Sequence, residues 1–555
     1  MTELSTTSRT RWWPAIVTLA AGAAALAWVW TFNADRTGQE RVYMTMSIVL
    51  GILILLGVWL TLFSALSRRT RVRALVIILA VFALAAGTVR VRGVTGDLVP
   101  IFEWRWAARS SAGLEALPSL PSEAAPPSEP ASATPSISVS PAVPAPSTPA
   151  AASAGPVDAK PAIVPEHDYP QFLGPNRNGI VPAVNIATDW TRTPPKIVWR
   201  RRVGAGWSGF AVAGSIAVTQ EQRGNREMVV AYNVADGTPR WAHGDEAHYE
   251  STVAGEGPRA TPTIDRGRVF SLGSTGVLNA LDLATGKRLW HRDVNTDQSS
   301  STPVWGRASS PLIVDDLVIV SAGGTGHALV AYNRVNGTPV WNAGTDDASY
   351  SSPLFATLAG VPQILMLNHT TVIAHDPKSG RVLWEHSWPR QQPSVAMPLV
   401  LPGDRALFSA GYGIGSRLLQ ITGGGDDLQA TLVWESPRLK AKFTNLVYYQ
   451  GFVFGLDDGV LVCLDPANGE RKWKSGRYGH GQVILSGGML LVQTEEGEIV
   501  LVEATPDAHR EIARFAVFDR KTWNPPALAG RFLIVRNDLE AACIELPVVP
   551  AARRD

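Results

Sequence analysis

Two cysteines, ten histidines and the adjacent carboxylates of two short hairpins are the residues of this 555-residue chain whose types suggest chemistry. Asp457-Asp458 and Glu495-Glu496 are neighbouring acids, an arrangement that can divide a proton between acid and base or hold a cation. Each pair precedes a glycine, Gly459 and Gly497, and reads as a solvated hairpin turn. Cys463 and Cys543 are too few for a four-cysteine zinc or iron–sulfur site. The chain has no Cys-x-x-Cys-His, His-Glu-x-x-His or Gly-x-Ser-x-Gly. His375 lies beside a turn aspartate and reads as structural; the glycine-rich stretch Gly411 to Ser416 sits in a strand context unsuited to phosphate. No residue is singled out as catalytic or as a metal ligand.

The elements that would position any site are announced by tryptophan, 19 residues against 10 tyrosines. Trp241, Trp290, Trp341, Trp384 and Trp473 each follow an Asp or Asn by eight positions and a Gly by four. The acid or amide can bond the turn backbone, the glycine supplies a positive φ, and the ring fills a gap between sheets. Trp434 follows a degenerate turn, Gly423 to Asp427, Phe515 stands in the tryptophan place of a later repeat, and Trp199 precedes them all. Eight Gly- or Asp-containing turns punctuate the strand pairs between these marks, from Ala213-Gly214-Ser215 to Ala529-Gly530. Repeats of about 40–50 residues with four strands are propeller blades. The last segment lacks a tryptophan strand and Trp199 lacks a blade, so joining them closes an eight-bladed ring and removes an open edge.

This pattern resembles the pyrroloquinoline-quinone (PQQ) repeat with its tryptophan-docking motif, found in quinoprotein dehydrogenases and in BamB-type outer-membrane assembly proteins. The resemblance spans about 168–548 and includes Tyr169 to Pro175 and Gly257 to Pro262. It implies an all-β, eight-bladed, quinoprotein-like β-propeller at 166–548, with the tryptophans above, Trp199, Trp241, Trp290, Trp341, Trp384, Trp434 and Trp473, in blade-packing positions. The fold carries unrelated functions, so it does not choose between them.

Three apolar runs open the chain, at about 12–32, 43–66 and 74–91, and read as transmembrane α-helices within a membrane domain of residues 1–106. Arg68, Arg69, Arg71 and Arg73 mark one loop as cytoplasmic, with Arg9 and Arg11 on the same side. The mixed-charge loop Asn33 to Arg41 and everything after Val91 are then outside, which predicts an inner-membrane protein with a periplasmic propeller. The first run also reads as a cleaved signal, with the same final orientation. Residues 107–165 are rich in Pro, Ala and Ser and read as a disordered linker, either a spacer holding the propeller off the membrane or a filler. Residues 549–555 form a C-terminal tail.

Strand order puts the Asp-to-Trp turns on one face of the ring. The hairpins at 274–276, 457–459 and 495–497 and the longer loops after each tryptophan lie on the other, the candidate working face. Its loops carry His243, Asp245, Glu246, His248, Glu250, Glu256 and Arg259, then Asp346 and Asp347, then Arg438, Lys440 and Lys442, then Lys474, Arg477 and His480. Acidic and basic sides would orient a protein partner, although solvated loop charge is the plainer reading. With net charge +2, nothing points to nucleic acid. The preferred function is a non-enzymatic, membrane-anchored scaffold that binds protein, in envelope assembly. The alternative, implied by the resemblance, is a PQQ- and Ca²⁺-dependent dehydrogenase passing electrons to quinone. Against it, the two cysteines fall in non-adjacent blades and long insertions are absent.

Overall fold

The computed structural model describes residues 12–32, 38–107, 114–118, 165–389, 393–425 and 427–549. Eight four-stranded antiparallel sheets make up the propeller. Blades 1–7 take their strands in chain order from 211–245, 263–293, 312–346, 354–387, 399–436, 447–477 and 482–516. Blade 8 is composite. Three strands come from 527–545, and its outer strand, Lys196–Arg202, comes from the start of the domain, with Trp199 opposite Cys543. Both cysteines are buried and free, in blades 6 and 8, and burial pushes their thiols up to about 12.

The repeat has one physical core. In four of the five marked turns the Asp or Asn accepts hydrogen bonds from backbone N–H groups two or three residues on, as Asp282 does from Thr285 and Asp376 from Lys378 and Ser379, whereas Asn233 donates its amide to the Thr238 hydroxyl. The turn glycine then takes a φ of +70 to +74°, at Gly237, Gly286, Gly337, Gly380 and Gly469. Its bare Cα faces the tryptophan of the preceding blade. A Cβ on Gly286 would lie 2.4 Å from the Trp241 ring, and one on Gly337 2.7 Å from Trp290. The same rings donate Nε1–H to a carbonyl of the next blade: Trp199 to Val234, Trp241 to Leu283, Trp290 to Arg334, Trp341 to Pro377, Trp434 to Pro466 and Trp473 to Thr505. Trp384 differs, donating within its own blade to Gln363. Its neighbour, blade 5, has the degenerate turn, whose Gly423, Gly424 and Gly425 do not face the Trp384 ring.

At the N-terminal end, α1 (Trp13–Thr31), α2 (Gly38–Val58, prolonged by a π-turn at Trp59–Phe63) and α3 (Arg68–Thr88) are each long and apolar enough to cross a membrane. Pro14 opens α1, and the Ser67 hydroxyl caps α3 by accepting from the Thr70 N–H. The expected third run to Val91 is corrected. The α3 helix stops at Thr88, because Val89–Val94 alternates apolar and basic residues and pairs with Pro100–Trp104 as a hairpin. Arg9, Arg11, Asn33, Asp35, Arg36, residues 108–113 and 119–164 of the linker, Asp426 and 550–555 of the tail lie outside the described residues.

That hairpin also overturns the spacer reading. It docks on the propeller through Arg92 to Asp538 (2.7 Å) and the Gly96 N–H to Glu495 (2.6 Å), so the chain after α3 meets the propeller before the linker begins. Segment 165–190 then crosses the opposite end of the ring. Tyr169 pairs with Val212, Ile264 N–H donates to Pro170, Leu485 exchanges bonds with Gly179 and Val181, and Ala187 N–H donates to Pro547. The buried Arg177 guanidinium donates to the carbonyls of Ser310 and Pro311.

The glycine–tryptophan contact predicts a contrast within blade 3. Gly337→Ala and Gly326→Ala both place a side chain at positive φ, but only the first meets a ring. Gly337→Ala is expected to be the more destabilising by about 1–3 kcal/mol, the usual cost of overpacking. Equal losses of thermal midpoint would contradict this.

Candidate functional site

Innermost strands surround a central channel that segments outside the blades enter from either end. Phe172 of the 165–190 segment lies at the floor, and the hairpin tip, Val94, Thr95 and Leu98, forms the roof. Between them is a cavity of about 140 Å³ walled by Trp207, Trp305, Tyr350, Tyr412, Phe443 and Trp523. Trp305 stacks on Tyr350 at 5.0 Å, Phe443 tilts against Trp523 at 4.9 Å, and Trp207 against Trp523 at 5.1 Å. These rings come from loops after the tryptophan strands of different blades, from the entrance of blade 1 at Trp207 and, for Tyr412, from the inner hairpin of blade 5. Burial of so much aromatic surface rigidifies the hub.

Charged groups crown the aromatic wall. Lys521 Nζ lies 4.0 Å from the Trp523 ring centre and 4.7 Å from Trp207, while Lys442 Nζ lies 4.5 Å from Tyr412. Such cation–π contacts strengthen when desolvated. Glu495 is the knot of the crown. One oxygen accepts from Gly96 N–H and Trp523 Nε1–H (3.0 Å), the other from His480 N–H (2.9 Å). Lys442 donates to the Gly96 carbonyl and to Gln39 at the start of α2, Lys521 donates to the Val94 carbonyl, and His480 pairs with Asp97 at 3.1 Å. Burial alone would raise the Asp97 carboxyl, but the His480 hydrogen bond and charge, with Lys442 and Arg477, hold it below the ordinary range. Burial lowers Lys442.

The loop charges expected on this face are placed as follows. Asp245 pairs with Arg288 and Asn279 and lies near His243. Glu246 reaches Arg226, and His248 lies near Glu250. Glu250 and Glu256 belong to a small two-stranded ribbon and line a second, polar cleft of about 850 Å³ between the hairpin and the blade 1 rim. Arg259 turns inward to the cavity, donating to Ala254 and Gly255, and desolvation draws it down to about 10. Asp346 accepts from Thr370 and Thr371, and Asp347 is exposed. Arg438 pairs with Glu470, Lys440 and Lys474 with Asp457, and Arg477 is exposed. Lys442 is 2% exposed. Most of these charges are answered within the chain, and Lys442 and Arg259 belong to the hub rather than to a rim.

The reading of the acid pairs as solvated turns is corrected. Asp457 is 1% exposed and held between two lysines, Asp458 is raised by burial, and Glu495 anchors the hub. These three sit where an inner hairpin leans over the channel and faces protein, while Glu496 is exposed and keeps the solvated reading. Sequence reading missed the aromatic wall and the hairpin. The alternation from Val89 to Arg92, a Thr-Gly-Asp turn and the apolar run from Leu98 to Phe102 were the available signal. His375 is structural, buried with Nδ1 at the Gly380 carbonyl.

A calcium-held quinone would need oxygen ligands at this cavity. Its lining contains Arg259, Asn445 and three tryptophans but no carboxylate. Among the described residues no group of three or more His, Cys, Asp or Glu is placed to hold a metal ion. Ca²⁺ takes six to eight oxygen ligands. The residues present do not fit that pair.

Comparison with known proteins follows the same outline. A family profile described as outer membrane protein assembly factor BamB matches residues 178–306 and 225–475, together more than half of the chain. The outer membrane protein assembly factor BamB of Burkholderia pseudomallei is 24% identical over 325 residues, 54% of this chain and 75% of that protein. That of Xanthomonas campestris pv. campestris is 30% identical over 98 residues, 18% of this chain and 24% of that protein. Among solved structures, quinohemoprotein alcohol dehydrogenase from Comamonas testosteroni superposes with a TM-score of 0.51 at 13% identity, covering 70% of this chain and 82% of that one, a likeness of fold.

Lys521 gives the hub a pH signature. Burial lowers its ammonium to about 8, with Asp538 and Glu495 opposing and Arg92 and Arg259 adding. Between that value and the unfolded value of about 10.4, the unfolded chain holds the extra proton, so this group's contribution to stability rises with pH. From about pH 7.5 to 9.5 the thermal midpoint of the wild type is expected to rise relative to that of Lys521→Met. Parallel profiles would contradict this.

Proposed function

The chain belongs to the outer membrane protein assembly factor BamB family, and from that premise we propose that it is a protein-binding propeller serving envelope assembly, carried on membrane-spanning helices. The observation that carries this reading is the loop face itself. Loops from every side converge on an aromatic, cation-crowned hub, and the hub already holds a segment of polypeptide, the 94–98 tip. A surface that seats main-chain groups through Glu495, Lys442 and Lys521 is chemically suited to peptide.

Membrane placement follows the same geometry. The start of α2 and the end of α3 both meet the loop face, through Gln39 and the hairpin, while Arg68, Arg69, Arg71 and Arg73 form the first turns of α3, at its other end. In our reading the arginines are cytoplasmic and the propeller periplasmic, its loop face toward the inner membrane. Partners approach from the side, over the rim carrying Glu246, Asp347 and Arg477. The lack of a carboxylate cradle weighs against the quinone-dependent alternative.

Photo-crosslinking in cells tests this directly. Probes at Glu246, Asp347 and Arg477 are expected to capture components of the outer-membrane assembly machinery, and probes at Asp236, Asn336 and Lys378 on the opposite face are not. Dye reduction by the purified chain on adding PQQ and Ca²⁺, with no loop-face crosslink, would overturn the proposal.

A further inference from the structure

We propose that the hub is a recognition site for tight β-turns of the Gly-Asp type, occupied in this chain by its own 94–98 tip and open to a turn from a partner once that tip leaves. This rests on the protein-binding reading above and names the chemistry of the ligand.

The contacts are directed at main chain. Glu495 accepts the Gly96 N–H, Lys442 donates to the Gly96 carbonyl, and Lys521 donates to the Val94 carbonyl. One side chain is read, the Asp97 carboxylate at His480. Glycine is required beside it, because a Cβ on Gly96 would lie 1.9 Å from the His480 ring. Thus the seat recognises the geometry of a turn, a residue without a side chain and an acid after it. Three of the four hub groups come from loops joining different blades, and Glu495 comes from the inner hairpin of blade 7, so the seat is assembled only when blades 5 to 8 stand side by side.

The tip covers the cavity without filling it. Val94, Thr95 and Leu98 line about 140 Å³ of space above an aromatic wall. A turn bearing a larger apolar residue in place of Thr95 would bury more surface there and bind more tightly. The resident tip is therefore a replaceable occupant. Its two strands form an isolated pair, marginal in water without the propeller. Because Lys442 also holds Gln39 of α2, movement of the helices is coupled to the seat.

The probe is a fluorescent synthetic peptide of residues 89–104, measured by anisotropy against the full chain in detergent micelles, with a scrambled peptide as baseline. Gly96→Val and, independently, Asp97→Ala in the chain release the tip and leave the blades intact, which the thermal midpoint verifies. Both variants are expected to bind the peptide at least tenfold more tightly than the wild type. Glu495→Gln added to either variant is expected to abolish the gain, and a peptide carrying Thr95→Leu to strengthen it. Uptake no better than the scrambled peptide by both variants, equal uptake by the wild type, or indifference to Glu495→Gln would each overturn the proposal. Loop-face crosslinks retained without peptide uptake would sink turn recognition alone; peptide uptake without such crosslinks would sink the assembly role alone.

Discussion

The pairing of Lys196–Arg202 with Glu540–Glu545 holds the rest of the structure in being. It joins the first strand of the domain to the last and turns eight open sheets into a ring. Without it, blade 8 would expose an edge of unpaired N–H and carbonyl groups, and the channel would have no fixed diameter. With it, Trp199 sits opposite Cys543 and donates to Val234 in blade 1, so the closing strand also carries the ring-to-glycine contact across the seam. Inter-blade packing is thus the same at the closure as within the chain.

A closed ring makes a hub, and the hub decides the chemistry. Rings from several blades meet at the axis because each post-tryptophan loop must return inward to start the next innermost strand. The cations that crown them are desolvated by this crowding, which is why Lys442 and Lys521 are lowered and seek carbonyls and π-faces. Hydrogen bonds to charged groups contribute about 1.5–3 kcal/mol net, more than neutral ones. Several of them on one tip are enough to seat a hairpin that is marginal alone, and few enough to be exchanged.

The blades were legible in the sequence because their determinants are local. An Asx turn, a positive-φ glycine and a tryptophan lie within nine residues, so five aligned copies declare the fold. Where the turn degenerates, at Gly423 to Asp427, the strand pairing survives and only the cross-blade bond of Trp384 changes partner. The hub was not legible for the opposite reason. Trp207, Trp305, Phe443 and Trp523 are far apart in the chain and follow no period; they meet because the ring closes. Long-range geometry also reversed the reading of Glu495 and Asp457, whose Glu-Glu-Gly and Asp-Asp-Gly contexts look solvated. The hairpin was hidden by its position, since Val89 to Val91 extend an apolar run that composition assigns to α3.

Hydrogen exchange at the Gly96 amide tests the central claim most directly. In an exposed turn this N–H would exchange at nearly the free-peptide rate. With the tip seated on Glu495, the intact chain in micelles should protect it at least about a hundredfold, a local opening free energy near 3 kcal/mol. Exchange at the free-peptide rate, with the blade amides still protected, would contradict the account.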